Sequence, residues 1–236
     1  MNYKTQLKIE RWKQGPFITY SILAITGFMY LLQEILGGST SQWVLIKLGA
    51  KVNELIVLGD WFRLITPMFL HIGLTHILFN VLIVYFLGIQ LESIFGHWRF
   101  LLLYFLSGIV GNATSFAFNS SISAGASTAI FGLFGSTLVL VKLFPGQPQM
   151  KAMAKNFTLL IVLNLVFGIF NSGIDMAGHI GGLVGGYLAA FALSTPTAWR
   201  TDKKQQLMYA SLLFIVFLVL IIIGYNKYIP ILNFFF

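Results

Sequence analysis

The sequence of 236 residues contains no cysteine, and only 9% of its residues are charged. The absence of cysteine excludes disulfide bonds, thiolate metal ligands and a cysteine nucleophile. The sequence also has no low-complexity tract, no internal repeat of the kind that marks many transporters, and no link long enough for a separate soluble domain. What remains is 57% hydrophobic, far outside the range of soluble domains. These features predict an all-α polytopic membrane protein with one helical domain.

Seven apolar runs approach or exceed the roughly 18 residues needed to cross a hydrocarbon core of about 30 Å. They are 17–36, 72–95, 99–118, 126–143, 156–172, 177–193 and 207–229. We therefore expect a helical bundle with seven transmembrane helices. Its parts would be a cytoplasmic tail at 1–16, a six-helix core at 17–193, and a cytoplasmic link with an extra seventh helix at 194–236. The first run lacks the small-residue site of a cleaved signal peptide, so we expect it to be a true span.

The long segment between the first two runs, 37–70, is apolar but is interrupted by Gly49, Gly59 and several charges. These interruptions make it a poor candidate for a membrane span. We expect it to lie half-immersed in the outer leaflet, a depth that suits its tryptophans, Trp43 and Trp61.

The net charge of +8 could indicate nucleic-acid binding, but the positions of the basic residues explain it differently. Eleven of the fifteen lie on one side of the predicted bundle, namely Lys4, Lys8, Arg11, Lys13, Arg99, Lys142, Lys151, Lys155, Arg200, Lys203 and Lys204. The other four are Lys47, Lys51, Arg63 and Lys227. Because basic residues concentrate on the cytoplasmic side, we expect a cytoplasmic N-terminus, an outer C-terminus and no nucleic-acid partner.

Several polar side chains lie near the outer ends of the predicted spans, where they are costly and therefore candidates for function. They are His71, His76, Asn80, Ser127 and His179. From the helical rise, Ser127 lies roughly 8 Å, His76 roughly 7 Å and His179 roughly 9 Å below the outer face. Asn80 follows His76 by four residues and shares its helix face. The remaining histidine, His97, lies in a link, and we expect it to be solvated.

Rows of small residues run along the fourth and sixth spans. The sixth carries Gly178, Gly182 and Gly186, and the fourth carries Gly125, Ala129, Gly132 and Ser136. Such rows let helix backbones approach closely. We therefore expect these two spans to bring Ser127 within hydrogen-bond distance of His179.

These residue types suit acyl transfer. A serine hydroxyl becomes an effective nucleophile when an adjacent base takes its proton, and histidine is the usual base. Ser127 and His179 are therefore candidate catalytic residues. His76, Asn80 and the backbone N–H of Ser127 could stabilise the oxyanion that forms. Asp175, one turn before His179, is the only acid near that level, and it is not assigned a role.

The same residues leave other functions open. Three histidines at one depth could bind a metal ion, but His71 and His76 do not share a helix face and no deep carboxylate or thiol accompanies them. A transport pathway would place polar groups on both sides of the midplane, whereas the inner halves offer little beyond Glu92. For Glu92 we expect a structural hydrogen bond. The glycine rows alone would be explained by helix packing.

Three motifs together resemble the rhomboid family of intramembrane serine proteases. They are His71-x4-His76-x3-Asn80, Gly125-x-Ser127 and Gly178-His179-x2-Gly182. The resemblance covers roughly residues 55–193, and the span at 17–36 takes the place of the family's first helix. The last span fits the family variant with one extra C-terminal helix.

The resemblance implies hydrolysis of peptide bonds within or next to the transmembrane segments of other membrane proteins, without a metal or other cofactor. By similarity, Ser127 is the nucleophile and His179 its general base, while His76 and Asn80 complete the oxyanion site. Further positions that match the family are Gly125, His71, Gly182, Phe131, which would pack on the catalytic imidazole, and Arg63, from the Trp-Arg pair of the first loop. The protein would reside in the cell membrane, among lipids, with its active site opening on the outer side.

Two residues depart from the family pattern. Thr128 stands where the family most often has glycine, and it could tighten helix packing or crowd the oxyanion pocket. Phe62 replaces the tryptophan of the Trp-Arg pair, with Trp61 one place earlier. The alternative function is therefore a catalytically impaired rhomboid-like adaptor that binds membrane-protein clients without cleaving them.

Overall fold

The computed structural model describes residues 15–170, 173–198 and 202–235, with side chains up to Pro230. The predicted tail residues Lys4, Lys8, Arg11 and Lys13, and also Arg200, lie outside the described residues. The α-helices of the described part are α1 (Phe17–Ile35), α2 (Gln42–Lys47), α3 (Asn53–Val57), α4 (Leu74–Phe95), α5 (His97–Phe118), α6 (Ser127–Leu143), α7 (Pro148–Phe170), α8 (Met176–Leu193) and α9 (Lys203–Phe235). Two 3₁₀ turns cover Trp61–Leu64 and Thr66–Phe69. The predicted all-α fold is confirmed.

Six helices of the described part are long and apolar enough to cross a membrane. They are α1, α4, α5, α7, α8 and residues Lys203–Pro230 of α9; α6 is apolar but shorter, at 17 residues. Each predicted span thus corresponds to one helix. The largest difference is in α7, which begins at Pro148 rather than near residue 156. Proline is favoured in the first turn of a helix, and the residues after it are mostly good helix formers.

Helix α6 lies at the centre of the bundle, and 13 of its 17 residues are buried. It contacts α8 backbone to backbone: a Cβ added at Gly186 would lie 2.1 Å from the carbonyl oxygen of Gly132. A Cβ added at Gly182 would lie 2.0 Å from the carbonyl oxygen of Thr128. Only glycine permits an approach this close. The packing of α6 against α8 therefore depends on the glycine rows.

The segment 37–70 forms short helices and turns that pack beside the end of the bundle at which α6 begins. The buried side chain of Arg63 organises it, because its Nη1 donates to the carbonyl oxygens of Ile46 and Ala50, both at 2.9 Å. The Nε of Arg63 donates to Asp60 at 2.9 Å. This loop then pairs with the segment before α6, through an antiparallel bridge between Lys51 and Ser123.

Glu92 fixes the opposite end of the bundle. Its carboxylate is 1% exposed and accepts from the backbone N–H groups of Ile18 and Thr19 at 3.0 and 2.7 Å, so it caps the start of α1. This is a hydrogen bond of the structural kind expected for Glu92. The expectation that His97 is simply solvated is wrong, because its Nδ1 lies 2.6 Å from the Glu92 carboxylate and its ring packs 4.2 Å from that of Phe17.

Candidate active site

Ser127 and His179 meet where α6 and α8 begin. The Oγ atom of Ser127 lies 2.9 Å from Nε2 of His179, although 52 residues separate them in sequence. Ser127 is the first residue of α6, and His179 lies in the first turn of α8. Because the glycine rows hold these two helices in backbone contact, the distance between the side chains is set mainly by the backbones.

The imidazole of His179 is held from one side by an aromatic ring. Phe131, one turn after Ser127, stacks on it with the ring centroids 4.2 Å apart and the planes inclined by 16°. Among the described residues, the buried Nδ1 of His179 has no hydrogen-bond partner. The described part of the chain therefore presents a pair, Ser127 and His179, rather than a hydrogen-bonded triad.

Asp175, the acid left unassigned by the sequence, caps the helix that carries His179. Its carboxylate accepts from the backbone N–H of Gly178 at 2.9 Å and from the hydroxyl of Ser115 on α5. Burial acts to raise the pKa of Asp175, but hydrogen bonds from Ser115, Gly178 and Ser123 and the charge of Lys51 outweigh it and hold this pKa below its ordinary value. Asp175 is therefore an anion at neutral pH, one turn before His179.

A cavity of about 670 Å³ opens beside the pair. Helices α4, α6, α7 and the head of α8 contribute to its walls, together with the segment 119–124. Ser127, His179, His76 and Asn80 all line it. Four side chains singled out in the sequence thus share one cavity.

His76 has a defined orientation in this cavity. Its Nδ1 accepts from the backbone N–H of Ile72 at 3.3 Å, so in the neutral ring the proton resides on Nε2. A Cβ added at Gly125 would lie 2.9 Å from that Nε2 and 2.7 Å from the adjacent ring carbon. Gly125 has a φ of +147°, which other residues rarely adopt. Glycine at 125 therefore lets the ring of His76 come close to Ser127 and leaves Nε2–H as a donor.

Asn80 lies one turn further along α4. Its Nδ2 donates to the carbonyl oxygen of His76 at 2.8 Å. Because an amide group carries two N–H hydrogens, one remains for another acceptor in the cavity. His76 and Asn80 can therefore both present donors near the Ser127 hydroxyl.

His71 does not line the cavity. It is fully buried, and burial, assisted by the neighbouring His76, lowers the pKa of His71 to about 3. The neutral ring accepts, through Nε2, from the backbone N–H of Ala126 at 3.4 Å. Its ring also contacts that of His76, with 5.2 Å between centroids. His71 thus supports both His76 and the turn that leads into Ser127.

Gln33 is a site residue that the sequence reasoning missed. The side-chain amide of this buried residue on α1 donates to the backbone carbonyl oxygen of His71 at 2.9 Å and accepts from the backbone N–H of His71 at 3.0 Å. A strongly polar amide inside an apolar run is the signal that could have found it.

Thr128 points away from the cavity. A Cβ added at Gly111 of α5 would lie 2.8 Å from the Thr128 Cβ, and one added at Gly178 would lie 3.0 Å from its Cγ2. The side chain therefore fills the junction of α5, α6 and α8. Of the two effects considered for Thr128, the geometry favours tighter packing.

Arg63 lies outside this constellation and acts within the loop 37–70, as described above. Among the described residues, no group of three or more histidine, cysteine, aspartate or glutamate side chains could hold a metal ion.

Comparison with known proteins gives one family. A family model described as "Rhomboid domain" matches residues 58–196. In Bacillus subtilis (strain 168), the protein named rhomboid protease GluP is 42% identical over 213 residues, which are 90% of this chain and 40% of that protein. The chain therefore spans less than half the length of this relative.

Two further relatives are covered more completely. The putative rhomboid protease YdcA of the same bacterium is 36% identical over 75% of this chain and 87% of its own length. Rhomboid-like protease 2 of Toxoplasma gondii is 35% identical over 88% of this chain and 78% of its own length. The matched region contains all three motifs and several helices able to span a membrane. The chain is a multi-pass membrane protein that belongs to the rhomboid family.

Proposed function

We propose that this protein is an intramembrane serine endopeptidase in which Ser127 is the nucleophile and His179 its general base. The observation that carries the proposal is the distance of 2.9 Å between Ser127 Oγ and His179 Nε2, beside a cavity. Relatives named as proteases, in Bacillus subtilis and Toxoplasma gondii, support the same reaction.

In the proposed reaction, His179 Nε2 accepts the proton of the Ser127 hydroxyl as Oγ attacks the carbonyl carbon of a peptide bond. The negative charge on the carbonyl oxygen is stabilised by Nε2–H of His76, Nδ2–H of Asn80 and the backbone N–H of Ser127. That N–H is free of an intrahelical acceptor because Ser127 begins α6. His179 then returns the proton to the departing amine, and water hydrolyses the acyl-enzyme by the reverse sequence.

Transmembrane segments of other membrane proteins are the proposed substrates. The site would lie at the outer end of the helix bundle, and α7 borders its cavity through Asn164. Of the residues in α7, only Ala154, Ile161 and Gly168 are buried. A helix packed this loosely at the edge of the cavity would allow an apolar chain to approach from the lipid. We propose membrane lipids as the other partner of this surface, and a reaction that needs no cofactor.

The proposed topology follows the distribution of basic residues. The N-terminus would be cytoplasmic, and the C-terminus and the opening of the site would face outward. In this arrangement the core at 17–193 carries the reaction, and 194–236 adds a link and one helix. Cysteine substitutions at Ser41 and Asp202, probed with an impermeant thiol reagent in intact cells, test it because the chain has no other cysteine.

The adaptor alternative depended on Thr128 crowding the oxyanion pocket. Since the Thr128 side chain packs between Gly111 and Gly178, no observed contact favours that alternative.

Labelling with a serine-directed fluorophosphonate, alongside cleavage of a transmembrane reporter, tests the proposed function. We expect Ser127→Ala and His179→Ala to abolish both while the proteins still insert and fold. Ser136→Ala is the matched control, because this buried serine lies on the same helix and its hydroxyl donates within that helix, to the carbonyl oxygen of Leu133. Cleavage by Ser127→Ala, or loss of labelling in Ser136→Ala alone, would contradict the mechanism.

A further inference from the structure

Lys51 is a fully buried cation outside the pair of proposed catalytic residues. It lies between α2 and α3 in the loop 37–70, and its relative exposure is 0%. A buried ammonium group is strongly unfavourable unless charges and hydrogen bonds compensate it. The contacts of Lys51 therefore indicate which parts of the structure its buried ammonium group stabilises.

One set of contacts made by Lys51 holds the segment that precedes Ser127 in the chain. The Nζ of Lys51 donates to the carbonyl oxygen of Asn119 at 2.8 Å, where α5 ends. Its backbone N–H donates to Ser123 at 2.9 Å and its carbonyl oxygen accepts from Ser123 at 3.2 Å. Asn53 adds a bond of 2.8 Å to the same Asn119 oxygen. The segment held in this way runs directly into Ser127.

The second contact is electrostatic and leads to His179. The positive charge of Lys51 interacts favourably with Asp175, the cap of α8. Asp175 in turn holds the first turn of α8, through Gly178, and the hydroxyl of Ser115. One buried cation therefore lies between the two segments that carry Ser127 and His179.

Resting on the proposed function, we propose that Lys51 is a positioning residue for catalysis. Its ammonium group holds the carbonyl group of Asn119, where the segment that leads to Ser127 begins, and balances the Asp175 carboxylate at the start of α8. In this way it keeps Ser127 and His179 aligned. It does not touch the reacting atoms. Its loss should lower kcat, because the transition state requires the aligned pair, and should change KM little.

The charged groups around Lys51 make this role dependent on pH. Burial lowers the pKa of Lys51 to about 8, while Asp175 on α8 and Glu54 on α3 act to raise it and Lys227 on α9 acts to lower it. The ammonium group is therefore present below about pH 8 and is lost as the pH rises through that value. We expect wild-type kcat to fall with a midpoint near pH 8.

Four variants, compared in proteoliposomes with a transmembrane reporter, test the inference. Lys51→Met keeps the length and removes the charge, and we expect kcat at pH 7 to fall at least tenfold with KM within threefold. Lys51→Arg keeps a charge that does not titrate, so the decline near pH 8 should disappear. Lys47→Met is the matched control in the same loop, since Lys47 is exposed and packs over Trp43. The double variant Lys51→Met/Asp175→Asn removes both charges. Its fold decrease in kcat should be smaller than the product of the fold decreases in the two single variants.

The outcomes separate the inference from the proposed function. If the wild type neither cleaves the reporter nor reacts with fluorophosphonate, the proposed function fails. If the wild type does both and Lys51→Met retains its kcat and its pH profile, only the role of Lys51 fails. Should the Lys51 variants not fold, the wild-type profile decides, because constant kcat between pH 7 and 9.5 would overturn the inference.

Discussion

Thr128 and Gly111 pack as a complementary pair across α6 and α5, so close that a Cβ on Gly111 would lie 2.8 Å from that of Thr128. By its resemblance to the rhomboid motif, the chain would be expected to have glycine at the position of Thr128. The space that a glycine would leave on α6 is therefore filled here by a side chain that faces a glycine on the neighbouring helix.

Thr128→Gly tests whether this side chain serves packing alone. We expect fluorophosphonate labelling within about tenfold of wild type, or about 1.4 kcal/mol in the barrier. The free energy of unfolding should fall by about 1 kcal/mol or more, because the variant leaves a void and places glycine in a helix. Thr128→Ala separates these two causes, since it retains helix propensity. An inactive parent restored by Thr128→Gly would instead favour the adaptor.

Gly182→Ala should disrupt the contact between α6 and α8. The added Cβ would lie 2.0 Å from the carbonyl oxygen of Thr128, a backbone atom that cannot move aside alone. We expect loss of labelling and a free energy of unfolding lower by about 2 kcal/mol or more, as for other overpacked sites. Gly27→Ala is the control, because a Cβ there meets nothing within 4 Å. A wild-type labelling rate in Gly182→Ala would show that the helices can separate without harm.

Asn80→Ala should lower kcat by about 10²- to 10³-fold, as expected for loss of one donor to an oxyanion. KM should change little, because the donor acts mainly in the transition state. Asn164→Ala is the matched control: Asn164 also lines the cavity, and its Nδ2 also bonds a carbonyl of its own helix, Leu160. We expect kcat of the control variant to fall threefold or less. Equal decreases in kcat in both variants would show that Asn80 contributes only to the general polarity of the cavity.

His76→Ala should also reduce kcat while substrate binding persists, because Nε2–H is the second side-chain donor. Binding of the reporter can be measured in the background of Ser127→Ala, where no turnover occurs. Unchanged turnover in His76→Ala would remove this residue from the oxyanion site.

Asp175→Ala should lower the free energy of unfolding by about 1 kcal/mol at neutral pH, because it removes the cap of α8. Since the pKa of Asp175 is lower in the folded protein than its ordinary value of 3.8, its stabilisation is present above that value and is lost as the pH falls through the folded pKa. The difference between wild type and variant, measured by unfolding in mixed micelles, should therefore shrink in acid. A difference independent of pH would assign Asp175 to packing rather than charge.

Much of the fold could be predicted because its signals are local. Length and apolarity locate a span, and a residue spacing converted to helical rise gives a depth. That arithmetic placed Ser127, His76 and His179 at one level, and the structure places all three around one cavity. Their catalytic roles remain predictions. The start of α7 was misjudged because two helical turns before the apolar run carry polar residues.

Contacts between distant segments were not predictable in the same way. The bond from Ser115 to Asp175 spans 60 residues, and the contact of Lys51 with Asn119 spans 68. No periodicity relates such pairs, since they depend on how complete helices pack. Gln33 and Lys51 share this property, because the hydrogen-bond partner of each lies 38 or more residues away in sequence and is set by tertiary structure. For such residues, the signal available in the sequence is the free-energy cost of burying a polar group, which indicates that a partner is needed but not which one.

Peptide hydrolysis consumes water, which the hydrocarbon core of a bilayer does not supply. A volume of about 670 Å³ has room for roughly 20 water molecules at ~30 Å³ each. The side chains of Asn119, Ser121 and Ser123 line it and give such water hydrogen-bond partners. The proposed enzyme would thus keep a reservoir of its second substrate beside the acyl-serine, so that the hydrolytic half of each cycle need not await diffusion through lipid.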